Sequence, residues 1–200
     1  MRRADRTEAL HEHKRRAILA AAQEVFAAHG LEGATMRAIA GQAGYVAGAI
    51  YAYFPTREAI LAALLVQSLG SVGRAVKAAA TSVAPADQLG ATADALYRYY
   101  RDAPNEFALL LVLARREVRV TLPADIERQI NGRLIALLQA LAGAIEASSG
   151  LDAAAAQDAA VSLYASVTGT LLLEASGRLD VLGRNGAALV DGAVAAFLER

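Results

Sequence analysis

The sequence predicts an all-α protein of about nine helices. Three observations carry that reading. Forty-nine of the 200 residues are alanine, the residue with the highest helix propensity. Apolar residues recur at spacings of three and four between glycine and proline breaks. No run alternates apolar and polar residues between turn signals, and no fixed-period repeat is present.

The first helix is expected from about Thr7 to Ala28. Its inner stripe is Leu10, Ala17, Ile18, Ala21, Ala22, Val25 and Phe26, and Gly30 is the glycine that stops it. Thr35 can cap a short helix through Ala43, which Gly44 ends. A second short helix covers about Val46 to Ala52. Thr56, after Pro55, caps a long helix through about Ala80. Pro85, Pro104 and Pro123 each stand where a helix begins. After Pro104, Phe107, Leu110, Leu111 and Ala114 fall in i, i+3, i+4, i+7 order. After Pro123, Ile126, Ile130, Leu134, Leu137, Leu141 and Ile145 make one long stripe, closed by Ser148-Ser149-Gly150. Asp152 caps a helix to about Ser176, residues 177–186 read as a loop, and a last helix runs to about Leu198.

Composition excludes several classes. Hydrophobic residues make up 56% of the chain and charged residues 20%, enough apolar surface for a core and too much for a disordered chain. The lack of cysteine excludes disulfides, thiolate metal sites and cysteine nucleophiles, and fits a reducing cytoplasm. No run of about 18 apolar residues lacks a polar interruption. The longest candidate, Leu163 to Leu173, contains Ser166, Thr168 and Thr170, so no membrane span is expected. The basic start, Met1-Arg2-Arg3, is followed by no apolar region, so no signal peptide is expected. A carboxylate-bridged metal bundle needs two Glu-x-x-His units, and only Glu8 to His11 has that form. His11 and His13 lack metalloprotease spacing and read as solvated or near phosphate. His29 reads as a helix-end residue. With no phosphate loop, nucleophile elbow or triad pattern, no catalytic residue, metal or cofactor is assigned.

Charge is balanced overall, twenty Lys+Arg against twenty Asp+Glu, which excludes nucleic-acid binding by bulk charge. It is not evenly spread. Residues 1–60 hold eight basic against six acidic side chains, net +2, and residues 61–200 hold twelve against fourteen, net −2. Within the basic part, residues 35–54 describe two short helices joined at Gly44, the spacing of a helix-turn-helix. Ile39, Ala40 and Ile50 would pack the two together, with Val25 and Phe26 beneath. Val46, Ala47, Ala49, Tyr51 and Tyr53 would then face outward, on a helix short enough to enter a DNA major groove.

The residues Ala40…Ala43-Gly44 and Gly48-Ala49-Ile50-Tyr51-Ala52-Tyr53-Phe54-Pro55-Thr56-Arg57-Glu58-Ala59-Ile60 carry a resemblance. Together with Phe26-Ala27-Ala28-His29-Gly30-Leu31 and Ala34-Thr35-Met36, they resemble the signature of the tetracycline-repressor (TetR) family of bacterial regulators, over about residues 12–65. Residues 97–111 and 163–173 are similar to effector-domain segments of that family. The resemblance implies a DNA-binding domain over 1–54 and a helical ligand-binding and dimerisation domain over 55–200. It also implies a homodimer, a double-stranded DNA operator and a small-molecule effector that releases the DNA. By position, Thr35 and Arg37 match DNA-contacting residues, Tyr51 and Arg57 phosphate-contacting ones, and Tyr53 a position near backbone or base.

One departure stands out. Where the family commonly carries Ser or Thr and then Lys or Arg, this chain has Val46-Ala47. Base readout is therefore expected to rest on Arg37, on close approach at Gly48, and on methyl contacts from Val46, Ala47 and Ala49 to thymine. An arm of Arg2, Arg3 and Arg6 would add backbone or minor-groove contacts.

In the effector half, Tyr97, Tyr99, Tyr100 and Phe107 read either as core or as pocket. Tyr164 and Thr168 put two hydroxyls on one helix face. The expected ligand set is Tyr97, Tyr100, Phe107, Tyr164 and Thr168. Arg115, Arg116 and Arg119 beside Glu117 read as a solvated face or as anchors for an anion. Small residues at 160, 165, 166, 169, 170, 192, 193 and 196 accompany apolar Leu189, Val190, Val194 and Phe197. They predict a homodimer through the last two helices, against the alternative of a monomer packing them internally. The function expected is a cytoplasmic, ligand-responsive repressor released from a palindromic operator by a small apolar ligand. The alternative is a helical ligand-binding or scaffold dimer with weak or lost DNA binding.

Overall fold

The computed structural model describes residues 3–113 and 122–198, and every regular element among them is helical. In chain order these are α1 (Arg3–Gly33), α2 (Met36–Gln42), α3 (Ala47–Ile50), α4 (Arg57–Thr81), a 3₁₀ turn at Pro85–Asp87, α5 (Gln88–Asp102), α6 (Pro104–Leu113), α7 (Ala124–Ser149), α8 (Ala153–Ala175), α9 (Arg178–Leu182) and α10 (Gly186–Leu198). Arg2, Ala114 and the cluster Arg115, Arg116, Glu117 and Arg119 lie outside the described residues.

The helix ends follow the local chemistry. The Thr35, Thr56 and Asp152 side chains accept from the amides of Ala38 (3.2 Å), Ala59 (3.1 Å) and Ala155 (2.9 Å), three of the caps expected from sequence. Asn185 caps α10 the same way, accepting from Ala188 at 3.1 Å. At Gly30 the backbone (φ 64°, ψ −166°) enters a region open essentially to glycine alone. The chain kinks there and the helix resumes through Gly33, past the end expected at Ala28. Leu10, placed in the inner stripe from spacing, is 55% exposed, while Ile18, Ala21, Ala22, Val25 and Phe26 are buried. The expected loop 177–186 instead contains α9. Gly177 and Gly183 frame it with left-handed backbone (φ 68° and 61°), and buried Leu179 anchors it. This five-residue turn is too short to show a helical period in the sequence.

The chain forms two compact units. One comprises Met1–Gln67 with Asn105–Gln129, the other Ser68–Pro104 with Ile130–Arg200. The division passes through α4. In the first unit Ile18, Phe26, Ile39, Ile50, Phe54 and Ile60 are fully or almost fully buried. In the second, α5, α8 and α10 pack on one another, with Leu96, Tyr97, Leu163, Val167 and Val190 buried.

By length and composition α4 and α7, rather than residues 163–173, are the most span-like segments. Both are long and apolar enough to cross a membrane. For α4 the reason is core packing, since 61% of its apolar window is buried.

Candidate functional site

The first unit builds its helix-turn-helix from α2, α3 and the turn between them. At the end of α2 the amide of Tyr45 donates to the Ala40 carbonyl (2.8 Å) and that of Gly44 to Gly41 (3.1 Å). This is a Schellman closure. It requires the left-handed backbone that Gly44 adopts at φ 74°. Ile39 and Ile50 are fully buried and Ala40 nearly so, as the periodicity predicts, and they fix the angle between the two helices.

The opposite surface is open. Val46 is 77% and Tyr51 52% exposed, and Thr35, Arg37 and Gly48 are exposed too. Ala47, Ala49 and Tyr53 are half-buried. Val46 has the extended backbone of an N-cap (φ −74°, ψ 146°) but supplies no capping hydrogen bond. The departure read from sequence thus has a structural consequence. Helix α3 spans four residues and starts without a side-chain cap.

Two arginines hold this surface from behind. Arg15 of α1 donates from Nη1 to the Tyr53 carbonyl at 3.0 Å, and its guanidinium lies 4.2 Å from the Phe54 ring centre. The His11 ring packs on Tyr53 with centroids 4.7 Å apart. Arg57, in the first turn of α4, donates from Nε to the Ala34 carbonyl at 2.8 Å and from Nη2 to the Leu31 carbonyl. Those carbonyls lie just before α2. Its Nη1 lies 3.9 Å from the Glu58 carboxylate. Sequence reasoning assigned Arg57 to phosphate and missed its tie to the 31–34 link. It missed Arg15 altogether. Each tie spans more than 20 residues, and no short-range pattern encodes such a contact.

Of the five expected ligand residues, Phe107 belongs to the first unit and the other four to the second. Tyr97 and Tyr100 are buried, each 2% exposed. The Tyr97 hydroxyl donates to Glu174 at 2.8 Å, joining α5 to α8. Burial and that carboxylate push the phenol up to about 12. A Cβ on Gly186, at the start of α10, would collide with the Tyr97 hydroxyl, so glycine is required where the third helix meets this bond. Burial also pushes the Tyr164 phenol upward, and a side-chain hydrogen bond with Thr168 offsets part of the push.

A groove in the second unit is lined by none of these five residues. That groove, of about 530 Å³, runs between the second half of α4 and α7. Gly70, Arg74, Lys77, Gln88, Arg133 and Gln139 are among its walls.

Comparison with known proteins bears on both units. Residues 18–64 match the profile of bacterial regulatory proteins, tetR family. Residues 89–197 match that of the tetracyclin repressor-like C-terminal domain. No curated protein sequence matches significantly. A TetR-family transcriptional regulator from Mesorhizobium loti is 19% identical over 94% of this chain and 96% of its own, with a TM-score of 0.67. The Thermus thermophilus repressor FadR, solved with lauroyl-CoA, is 20% identical over 92% of this chain and 93% of its own, with a TM-score of 0.66. FadR of Bacillus subtilis, solved with stearoyl-CoA, is 21% identical over 91% and 96%, with a TM-score of 0.60. At these identities the likeness is one of fold.

Proposed function

The chain belongs to the tetR family of bacterial regulatory proteins, and from that premise we propose that it is a homodimeric repressor that leaves a palindromic operator when a small molecule binds its second unit. Members of the family are transcriptional regulators and not enzymes, and a DNA-binding head with a ligand-responsive body is their common plan. The observation that carries the reading is the first unit's division of labour. Its apolar residues Ile39 and Ile50 are buried, while Thr35, Arg37, Val46, Gly48 and Tyr51 lie open on one helix-turn-helix.

In the proposed complex Thr35 and Tyr51 hydrogen-bond phosphates, and Arg37 reaches a phosphate or a guanine edge. Val46, Ala47, Gly48 and Ala49 lie against bases, and Tyr53 lies near the backbone. Arg57 acts chiefly by fixing the 31–34 link. The dimer forms through α8 and α10, where Val161, Leu172, Leu189 and Leu198 are exposed apolar side chains. Tyr164 and Thr168 stand beside that face and, with Tyr97 and Tyr100 of the same unit, are the proposed aromatic and hydroxyl contacts for an apolar part of the effector. The two fold relatives solved with acyl-CoA support a ligand with a fatty chain. Helix α4 contributes residues to both units, so it is the proposed carrier of the signal. A displacement that spoils the spacing of about 34 Å between successive major grooves is enough to release both heads. The site of action is the cytoplasm, with the chromosome.

The second reading, a ligand-binding dimer without DNA affinity, rests on the uncapped α3 with Val46-Ala47 at its head. One experiment separates the two. Fluorescence anisotropy with DNA from upstream of the protein's own coding region is expected to show binding that falls steeply between about 50 and 200 mM salt. Arg37→Ala and Tyr51→Phe should weaken it without altering the dimer seen by sedimentation. No binding at about 50 mM salt would favour the second reading.

A further inference from the structure

The groove between α4 and α7 has a charge pattern that the proposed apolar effector does not explain. Its floor is made of small residues, among them Gly70, Gly73, Ala140 and Gly143, which leave the space open. Three cations stand around it: Arg74 and Lys77 from α4, Arg133 from α7. No aspartate or glutamate is among its lining residues. None of the three ion pairs found among the described residues involves Arg74, Lys77 or Arg133.

The two guanidinium groups converge. A Cβ built on Gly70 would lie 3.5 Å from Nη1 of Arg74, 3.7 Å from Cζ of Arg133 and 3.8 Å from its Nε. One side-chain hydroxyl, Ser71, accepts from Nη2 of Arg74 at 3.0 Å and helps hold that fork in place. Like charges brought together over a glycine, without a carboxylate between them, give the groove a positive potential that favours an anion. Planar guanidinium forks suit the oxygens of a phosphate, which accepts paired hydrogen bonds. The side-chain amides of Gln88 and Gln139 add neutral donors along the walls. Beside Gln88, two hydrogen bonds tie the end of α7 to the start of α5 and the turn before it. Ser148 Oγ at the end of α7 accepts from the Leu89 amide (3.0 Å) and donates to the Pro85 carbonyl (2.8 Å).

We propose that this groove binds a phosphate monoester with an apolar body, its phosphate held by Arg74, Arg133 and Lys77 and its body lying over the glycine and alanine floor. A dianionic head balances more of the three charges than a carboxylate does, and a volume near 530 Å³ lies in the range of small-molecule pockets. The regulatory consequence rests on the function proposed above. Arg74 and Lys77 lie on α4, so occupancy acts directly on the helix that contributes to both units.

Calorimetric titration of hexyl phosphate into the full chain at fixed ionic strength tests the site. Saturable binding is expected, weakened by salt. It should weaken at least about tenfold in Arg133→Gln and further in the Arg74→Gln/Arg133→Gln pair. Both side chains are exposed, so circular dichroism should show these variants folded. Gly70→Val keeps all three charges but fills the floor, and it should abolish binding. Hexylamine should not bind, and hexanoate should bind more weakly than hexyl phosphate. Absence of binding to the wild-type chain overturns the proposal. So does equal affinity in the double variant, or hexylamine or hexanoate matching hexyl phosphate. Operator release is read separately by anisotropy. Binding without release upholds the site and counts against the regulatory reading. DNA binding with no uptake of hexyl phosphate overturns the site and its regulatory role, and leaves the proposed repressor function standing.

Discussion

Arg57 offers the sharpest test of how the head works, because its family-matched role and its structural role predict different behaviour for Arg57→Lys. If the residue served only as a cation facing a phosphate, lysine would keep most of its effect. In the structure its value lies in geometry. Nε and Nη2 reach two carbonyls three residues apart, and a single ammonium cannot reproduce that fork. Each hydrogen bond from a charged donor contributes about 1.5–3 kcal/mol. The side chain is 29% exposed, so water replaces part of this, and the lower end applies, about 3 kcal/mol for the pair. Ala34 is fully buried, so losing its partner also leaves a carbonyl poorly solvated. Both Arg57→Ala and Arg57→Lys should therefore lower the thermal midpoint by about 6–12 °C, from about 2–4 °C per kcal/mol in a chain of this size. The midpoint is read by circular dichroism at fixed protomer concentration, since a dimer's stability depends on it. DNA affinity should fall in both variants with the salt slope nearly unchanged. The reasoning fails if Arg57→Lys retains both midpoint and affinity while Arg57→Ala loses only affinity, with the salt slope smaller by about 1.

Gly186→Ala should lower the midpoint by driving a methyl into the Tyr97 hydroxyl, and Tyr97→Phe in the same chain should recover part of the loss, a coupling that additive effects exclude. Tyr97 titrates at about 12 in the folded chain against 10.0 for the free phenol, so the unfolded chain loses its proton first. Stability should accordingly fall as pH rises from 10 to 12, and pH-dependent denaturation of Tyr97→Phe should show a shallower fall. Val46 already has N-cap backbone angles, so Val46→Ser should add a cap worth about 1 kcal/mol. A midpoint no higher than wild type would show that α3 is not limited by its first turn.

Much of the fold was legible because its signals are local. The caps at Thr35, Thr56 and Asp152, the closure at Gly44 and the buried trio Ile39, Ala40 and Ile50 each follow from residue type and spacing within one or two turns. Leu10 misled because a three-and-four spacing continues along α1 beyond the point where anything covers it. Helix α9 was hidden because five residues between two glycines carry too little periodicity to separate a turn of helix from a loop. The α4–α7 groove was invisible for a different reason. Arg74 and Arg133 are 59 positions apart in sequence, and only packing reveals that both lean over Gly70.

The same contrast explains how so short a recognition helix can hold its shape. Four residues make barely one turn, and a free helix of that length does not form in water. The turn persists because every constraint on it comes from elsewhere. Gly44 sets the path into it, Ile50 anchors its end in the core, and Arg15 grips the Tyr53 carbonyl while covering the Phe54 ring. Arg57 does the same for the link that leads into α2. The outward residues are thereby relieved of structural duty. In the proposed complex the surface that Val46, Ala47, Gly48 and Ala49 offer to DNA is one of shape and methyl groups rather than charge. Affinity then has to come from the cations and hydroxyls around it, and specificity from how closely a nearly smooth helix can approach the bases.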